Sequence, residues 1–359
     1  MNKRLTALLL AMLMLAVLLV GCSTPSGDGN GDDKEGTRIV KDMKGDEVEL
    51  KKDIKRVVNL WPSSNSAMLC MGAGDLLVAT MQFTKNQPWS SFVFPGIADV
   101  PAVSDDVNAE ELLNYQPDLV ICAGDAAPTY REAGLPAVNL MFSNYDDMKQ
   151  SFGIMGEIFG GDYVAKAAKW SEMVDDTIAE VNNALKDLKE EDKPVVYYIG
   201  AMSSSATYTS TMAAGGIQEA WVTHAGGIYA GKELGATGND LQVEAILNLN
   251  PDVIMIGGPF QRAIEEKLKS DPAWKDIKAV KDGRIYRNPV GLFPWCRFGM
   301  ESVMQIKYAA SKLHPDLYQV DMVKEVQDFY KEFVGKELTE EQAKNMLDGL
   351  GPNGERQDK

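Results

Sequence analysis

Short apolar runs alternate with glycine-bearing polar loops and helical stretches along most of the chain. Thr37–Leu50 alternates apolar and polar positions about Lys44-Gly45-Asp46, which predicts two short strands joined by a turn. Arg56–Leu60 is a mostly apolar run, followed by Trp61-Pro62-Ser63-Ser64 and a helical stretch toward Met71. Leu119–Cys122 and Ala137–Leu140 repeat that order, as do Val195–Ile199, Val253–Ile256 and Arg284–Asn288 further on. Strand, loop and helix in regular succession predict an α/β fold with largely parallel sheets.

Between the two series lies a polar-faced stretch, Tyr163–Glu190, with apolar residues at Val174, Ile178, Val181, Leu185 and Leu188. Steps of four and three place these on one helical stripe. Closed by Pro194, such a helix would be about 42 Å long at ~1.5 Å per residue, a stiff spacer rather than a floppy hinge. The halves it separates echo each other. Glu110–Ile121 and Glu244–Met255 align 134 residues apart and share a leading Glu, an Asn at Asn114 and Asn248, and a Pro-Asp pair. Each phrase reads as a short helix, a turn and a buried strand, because proline forces the preceding residue out of helix. The expected division is lobe one over 37–162, a linking helix over 163–193, and lobe two with C-terminal helices over 194–359.

The N-terminus sets the compartment. Lys3 and Arg4 precede the uncharged Ala7–Val20, which ends in Leu19-Val20-Gly21-Cys22. That layout is a secretory signal over 1–21, and its apolar run is short of the about 20 residues that a ~30 Å bilayer core requires. Cleavage before Cys22 matches the bacterial lipobox, in which the thiol receives diacylglycerol. Residues 22–36 are Gly, Ser, Asp and Pro with almost nothing apolar, a flexible tether. The folded part is thus expected to hang from the outer face of a membrane, away from cytosolic cofactors.

Composition narrows the chemistry. The 359 residues are 45% apolar, enough for two cores of ordinary domain size. Against 52 Asp plus Glu stand 36 Lys plus Arg, a net charge of −16 with no basic run, which argues against a nucleic-acid partner. Two histidines and four cysteines are few for a His-rich metal enzyme or a zinc site. His224 falls in a helical segment, His314 precedes Pro315 at a helix end, and Cys70, Cys122 and Cys296 show no metal-type spacing. A hydrolase, the competing class, would need a Gly-x-Ser-x-Gly elbow or a Ser with a well-placed His, and neither is present.

Four stretches carry a resemblance: Arg56–Ser63 leading to Met71-Gly72-Ala73-Gly74-Asp75, the two phrases Glu110–Val120 and Glu244–Ile254, and Asn288–Trp295 with its Phe293-Pro294-Trp295 triplet. Over nearly all of Thr37–Tyr318 the chain resembles the substrate-binding proteins of bacterial ABC importers for iron–siderophores, heme and cobalamin. The resemblance implies two Rossmann-like lobes joined by a single long helix, with a ligand cleft between them and no catalysis or resident cofactor. It implies a monomer that captures a metal chelate, ferric siderophore before cobalamin, heme or a nickel or cobalt chelate, and hands it to an ABC permease dimer. The cleft is then expected to be lined by Trp61, Gln82, Trp89 and Asp125 from the first lobe. Ser203, Tyr208, Phe293, Trp295 and Arg297 are expected from the second. Glu110 and Glu244, one per lobe, are the implied permease-docking pair. Cys296 stands where relatives often carry Asp. No direct protein ligands to a metal are expected, because the ion would arrive already chelated.

Overall fold

The computed structural model describes residues 36–104, 106–201, 208–236 and 241–356. The signal segment, Cys22, the tether and Ser203 lie outside the described residues. Strands β1 (Thr37–Lys41) and β2 (Glu47–Lys51) form the expected antiparallel hairpin, with Val40 opposite Val48. Strands β3 (Val57–Asn59), β4 (Leu77–Met81), β5 (Ala102–Val103), β6 (Leu119–Cys122) and β7 (Ala137–Asn139) make the first lobe's sheet. Its order is β5-β4-β3-β6-β7, and every pair is parallel. Strands β8 (Val195–Gly200), β9 (Ile228–Tyr229), β10 (Val253–Gly257) and β11 (Ile285–Arg287) build the second in the order β11-β10-β8-β9, again all parallel. The fold is the bilobed α/β architecture expected.

Strand alternation explains how the lobes share a core. Val57, Leu119 and Ile121 of lobe one and Val196, Tyr198, Val253 and Met255 of lobe two all face one continuous cluster. Their neighbours face outward into separate smaller cores: Val58 and Val120 in lobe one, Tyr197, Ile199, Ile254 and Ile256 in lobe two. Successive side chains point to opposite faces, so each sheet is apolar on both sides and helices cover both.

The two phrases 134 residues apart are structural equivalents. Gln116 (φ 46°) and Asn250 (φ 50°), each just before its Pro-Asp, are the only non-glycine residues with positive φ among those described. Asp118 then accepts the backbone N–H of Lys55 and Arg56, both at 3.0 Å, and an Nζ–H of Lys51 at 2.6 Å. Asp252 likewise accepts the Val195 N–H at 2.8 Å and is paired with Lys278 at 2.5 Å. Each aspartate therefore ties the end of a short helix to the start of the neighbouring central strand. Burial alone would raise the Asp118 carboxyl, but Lys51 and the two backbone donors outweigh it and hold it below its ordinary value.

The linking helix is shorter than its apolar period suggests. It spans Asp162–Ala184, 23 residues and about 34 Å, instead of running to Glu190. Trp170, Val174, Thr177 and Val181 are its buried stripe. Leu185 and Leu188 continue the stripe in a tight turn, with the Leu188 N–H on the Leu185 carbonyl at 2.9 Å. A spacing of three fits an α-helix and a tighter turn equally well, and the approach to Pro194 turns the chain out of helix. A second helix, Tyr145–Phe159, lies against it, the two joined at Gly160-Gly161 with φ of 72° and 54°. The chain after Met322 is not a simple appendage of lobe two. Lys166 of the linking helix donates to Met71 O at 2.7 Å and to Phe333 O at 3.2 Å, and the Trp89 indole N–H donates to Leu350 O at 2.9 Å. The C-terminal segment thus braces both lobes. Among the described residues no helix is long and apolar enough to cross a membrane.

Candidate functional site

In an open parallel sheet, a crevice forms beyond the carboxyl end of the strand where the winding direction reverses. That strand is β3 in lobe one and β8 in lobe two. Trp61 follows β3 directly, and residues 202–207, with Ser203, follow β8 beyond Ala201.

A buried polar network fixes Trp61. Its N–H donates to Asn59 Oδ1 at 3.1 Å, and its carbonyl accepts from Ser64 Oγ and Asn65 Nδ2, both at 3.0 Å. Thr80 Oγ1 completes the network by donating to Asn65 Oδ1 at 2.7 Å. These four polar side chains are within 1% of fully buried, so each must keep its partner, and the Trp61 backbone is immobilised as a result. The half-buried Trp61 ring meets Phe142 at 4.5 Å and, across the lobes, Phe298 at 6.4 Å. A second aromatic pair crosses the lobes, Phe83 to Phe293 at 5.7 Å, and the Arg297 guanidinium lies 5.6 Å from the Phe293 ring centroid. Trp61, Phe83, Phe298 and Arg297 are each partly exposed. The interlobe floor is therefore aromatic, with one guanidinium over it.

The other expected lining residues sit elsewhere. Trp89 is fully buried, its ring edge-on to Phe92 and Tyr330, and it plugs lobe one onto the C-terminal segment. Trp295 is 1% exposed and packs in the shared core behind the cleft loop. Large rings with the greatest apolar area are drawn into the core first, which removes both from the cleft wall. Tyr208 lies edge-on to Trp274 at 5.2 Å in the outer core of lobe two, and its carbonyl accepts the Tyr197 hydroxyl. Gln82 is exposed and donates to Asn86 at 2.7 Å, and Asp125 is exposed and paired with Lys44 of the hairpin at 3.3 Å. Sequence reasoning missed Phe83, Phe142 and Phe298. Phe83 and Phe142 follow β4 and β7 closely, so a search for aromatics just past strand ends would have found both, whereas Phe298 is signalled only by standing next to Arg297.

Cys296 does not replace a ligand-facing group. It is fully buried, its carbonyl accepting from Gln218 at 3.0 Å and Trp221 at 3.2 Å, its Sγ 3.4 Å from the Tyr198 hydroxyl. Burial pushes the thiol up to about 11, so it stays neutral and structural. Cys70 and Cys122 are likewise buried and free. His224 packs edge-on to Tyr145, and the His314 ring engages Gly226 O at 3.1 Å. Among the described residues no three His, Cys, Asp or Glu side chains cluster as a bare cation requires.

Glu110 and Glu244 are exposed in the first turns of helices Ala109–Leu113 and Val243–Leu249. Each helix leads through a Pro-Asp turn into a parallel strand, so the two carboxylates occupy equivalent positions, one on each lobe.

Two parallel-sheet lobes, a rigid linker and an aromatic crevice define a bilobed solute-binding protein. A model of the periplasmic binding protein family matches residues 57–290, and the chain belongs to that family. It is 26% identical over 324 residues to an uncharacterized ABC transporter substrate-binding lipoprotein of Bacillus subtilis (strain 168), covering 86% of this chain and 97% of that protein. The Fe(3+)-citrate-binding protein of the same organism is 24% identical over 301 residues, covering 79% and 89%. A periplasmic solute binding protein of Veillonella parvula superposes with a TM-score of 0.73 at 21% identity, covering 87% of this chain and 96% of that one. The protein is thus an extracytoplasmic substrate-binding component of an ABC importer, and the hydrolase alternative falls with that assignment.

Proposed function

We propose that the cleft captures a ferric-siderophore-type chelate and that Glu110 and Glu244 present the loaded protein to the permease. The observation that carries this reading is the partly exposed set Trp61, Phe83, Phe298 and Arg297 where the lobes meet, backed by the buried rings of Phe142 and Phe293. Aromatic faces suit a flat, partly apolar chelate shell, each contact contributing ~0.5–1.5 kcal/mol, and a guanidinium suits its carboxylate or hydroxamate oxygens. Two relatives in Bacillus subtilis, described as Fe(3+)-citrate-binding and Iron(3+)-hydroxamate-binding, support a ferric chelate. Titrating the purified protein with ferric citrate and with a ferric trihydroxamate, and reading tryptophan fluorescence, tests it. One of the two is expected to quench saturably, and Trp61→Ala is expected to weaken that binding about two- to tenfold, one aromatic contact's worth. Absence of saturable quenching by either chelate overturns the reading.

We also propose that Cys22 carries the lipid that holds the protein at the membrane. Its support is the Leu19-Val20-Gly21-Cys22 sequence and the polar tether that follows. Acyl chains on one residue anchor firmly because each buried CH₂ contributes ~0.8 kcal/mol. Cells fed an alkynyl palmitate are expected to label the wild-type protein and not Cys22→Ser, whose product should be found in the soluble fraction. Equal labelling of both would refute the anchor.

A further inference from the structure

The loop that carries Phe293 and Arg297 is held from beneath by one carboxylate. Glu301 is 2% exposed. One of its oxygens accepts the Phe293 N–H at 3.1 Å and the other the Tyr330 hydroxyl at 2.6 Å. The Leu292 N–H and the Trp295 indole N–H also act on the carboxylate. The backbone makes room for it. A Cβ at Gly291 would stand 1.8 Å from Glu301 Oε1, so only glycine lets the carboxylate rise into the loop. Tyr330 belongs to the π-helical turn Tyr330–Val334 of the C-terminal segment, where its ring meets Trp89 of lobe one. Glu301 therefore joins the cleft loop of lobe two to the segment that braces both lobes.

We infer that Glu301 is a positioning residue for ligand binding, whose charge sets how firmly Phe293 and Arg297 are presented to the cleft. This rests on the cleft reading above. The titratable groups facing Glu301 are Tyr330 and, from the helix Pro62–Met71, Cys70, with Lys166 of the linking helix beyond the thiol. Burial drives Cys70 and Tyr330 far upward, so both stay neutral, and it pushes the Glu301 carboxyl up to about 7 against the pull of Tyr330, Phe293, Leu292 and Trp295. Near neutral pH, Glu301 is the member of this cluster that changes charge.

The direction follows from the donors. Ionised, the carboxylate accepts from Phe293, Leu292 and Tyr330 at once, through charge-assisted bonds roughly twice as strong as neutral ones. Protonated, it must donate to the Tyr330 oxygen, and a neutral carbonyl is left to hold the loop. Loop order thus rises with pH through the midpoint. Global stability moves the other way. An acid whose folded pKa is raised gives stability that is present at low pH and lost as pH climbs through the folded value. A purely structural role would move both quantities together.

The test uses the full chain and Glu301→Gln, which keeps the shape and removes the titration. Hydrogen exchange of residues 290–299 in the ligand-free protein, corrected for chemical exchange, is followed from pH 6 to 8.5. Affinity for ferric citrate or the ferric trihydroxamate, whichever of the two quenches saturably, is followed over the same range. Wild-type loop protection is expected to rise on the order of fivefold about a midpoint near 7, and to stay flat in Glu301→Gln. The ratio of wild-type to variant affinity should rise with it, a ratio that cancels the pH dependence of the chelate. Tyr330→Phe removes one donor and should shift the midpoint upward, which keeps the test open should Glu301→Gln fold poorly. Parallel pH profiles in wild type and Glu301→Gln overturn the inference, as does loop protection that titrates without any change in the affinity ratio. If neither ferric citrate nor the ferric trihydroxamate binds, the cleft reading fails while the loop profile still decides whether Glu301 governs the loop.

Discussion

Replacing Glu110 and Glu244 together with lysine is expected to abolish chelate uptake while leaving chelate affinity and thermal stability close to wild type. Both side chains are exposed and belong to the first turns of short helices. Their only local role is a favourable charge at a helix N-terminus, so reversal costs ~0.3–1 kcal/mol of stability per site. Across a docked interface the cost is larger, because close charge pairs in protein complexes couple by ~1.5–7 kcal/mol. Two such pairs lost, each replaced by repulsion, reduce docking by about a hundredfold or more. Each single reversal should give an intermediate defect if, as proposed, each lobe docks against its own half of the partner. Radioactive iron uptake in cells that carry the matching permease, set beside fluorescence titration of the same variants, measures both quantities. Normal uptake by the double variant, or a loss of chelate affinity, would remove these residues from the docking role.

The largest stability effect is expected from Trp170→Ala, about 3–5 kcal/mol by urea denaturation. Trp170 is fully buried on the linking helix, 4.7 Å from Phe152, and its indole N–H donates to Met300 O at 2.8 Å. It therefore packs the helix pair together and ties it to the segment that leads from the cleft loop into helix Ser302–Leu313. Trp170→Phe keeps most of the ring and loses the bond, so its expected cost is smaller, about 1–3 kcal/mol for an orphaned buried carbonyl. A loss under 1 kcal/mol for the alanine variant would mean that the lobes are held together mainly elsewhere, for instance through Lys166 and the C-terminal segment.

Local features that depend on neighbours in sequence were legible. The long parallel strands are uninterrupted apolar runs because both of their faces are buried, and such runs survive in any tertiary context. The paired Pro-Asp phrases were legible for the same reason, because the turn is made by Gln116 and Asn250 themselves, although the strand starts that Asp118 and Asp252 cap lie 62 and 57 residues away in the chain. Strands β5 and β9 were not legible. Each is two residues long and exists only because a neighbouring strand supplies its partners. The end of the linking helix was misplaced because the Leu185–Leu188 spacing suits helix and turn alike.

The candidate site divides along the same line. Trp61 stands where the chain leaves a central strand, so its place at the crevice follows from topology. Trp89, in a short helix, and Trp295, in a loop, were closed over by cores, and Tyr208 is partly buried against the outer core of lobe two, though nothing within a few residues of each distinguishes them from Trp61. Which aromatic remains at the cleft depends on what packs behind it: Leu350 and Tyr330 for Trp89, Trp274 for Tyr208.

The sequence by itself determined the α/β class, the twin lobes, the rigid helix between them and the family. Those properties are written in periodicity and in short-range turn chemistry. The tertiary structure alone decided which rings floor the crevice, that Cys296 is a core thiol, and that the C-terminal segment reaches Glu301 beneath the cleft loop. Such contacts join residues far apart in the chain, and their free energy exists only once the intervening chain has folded.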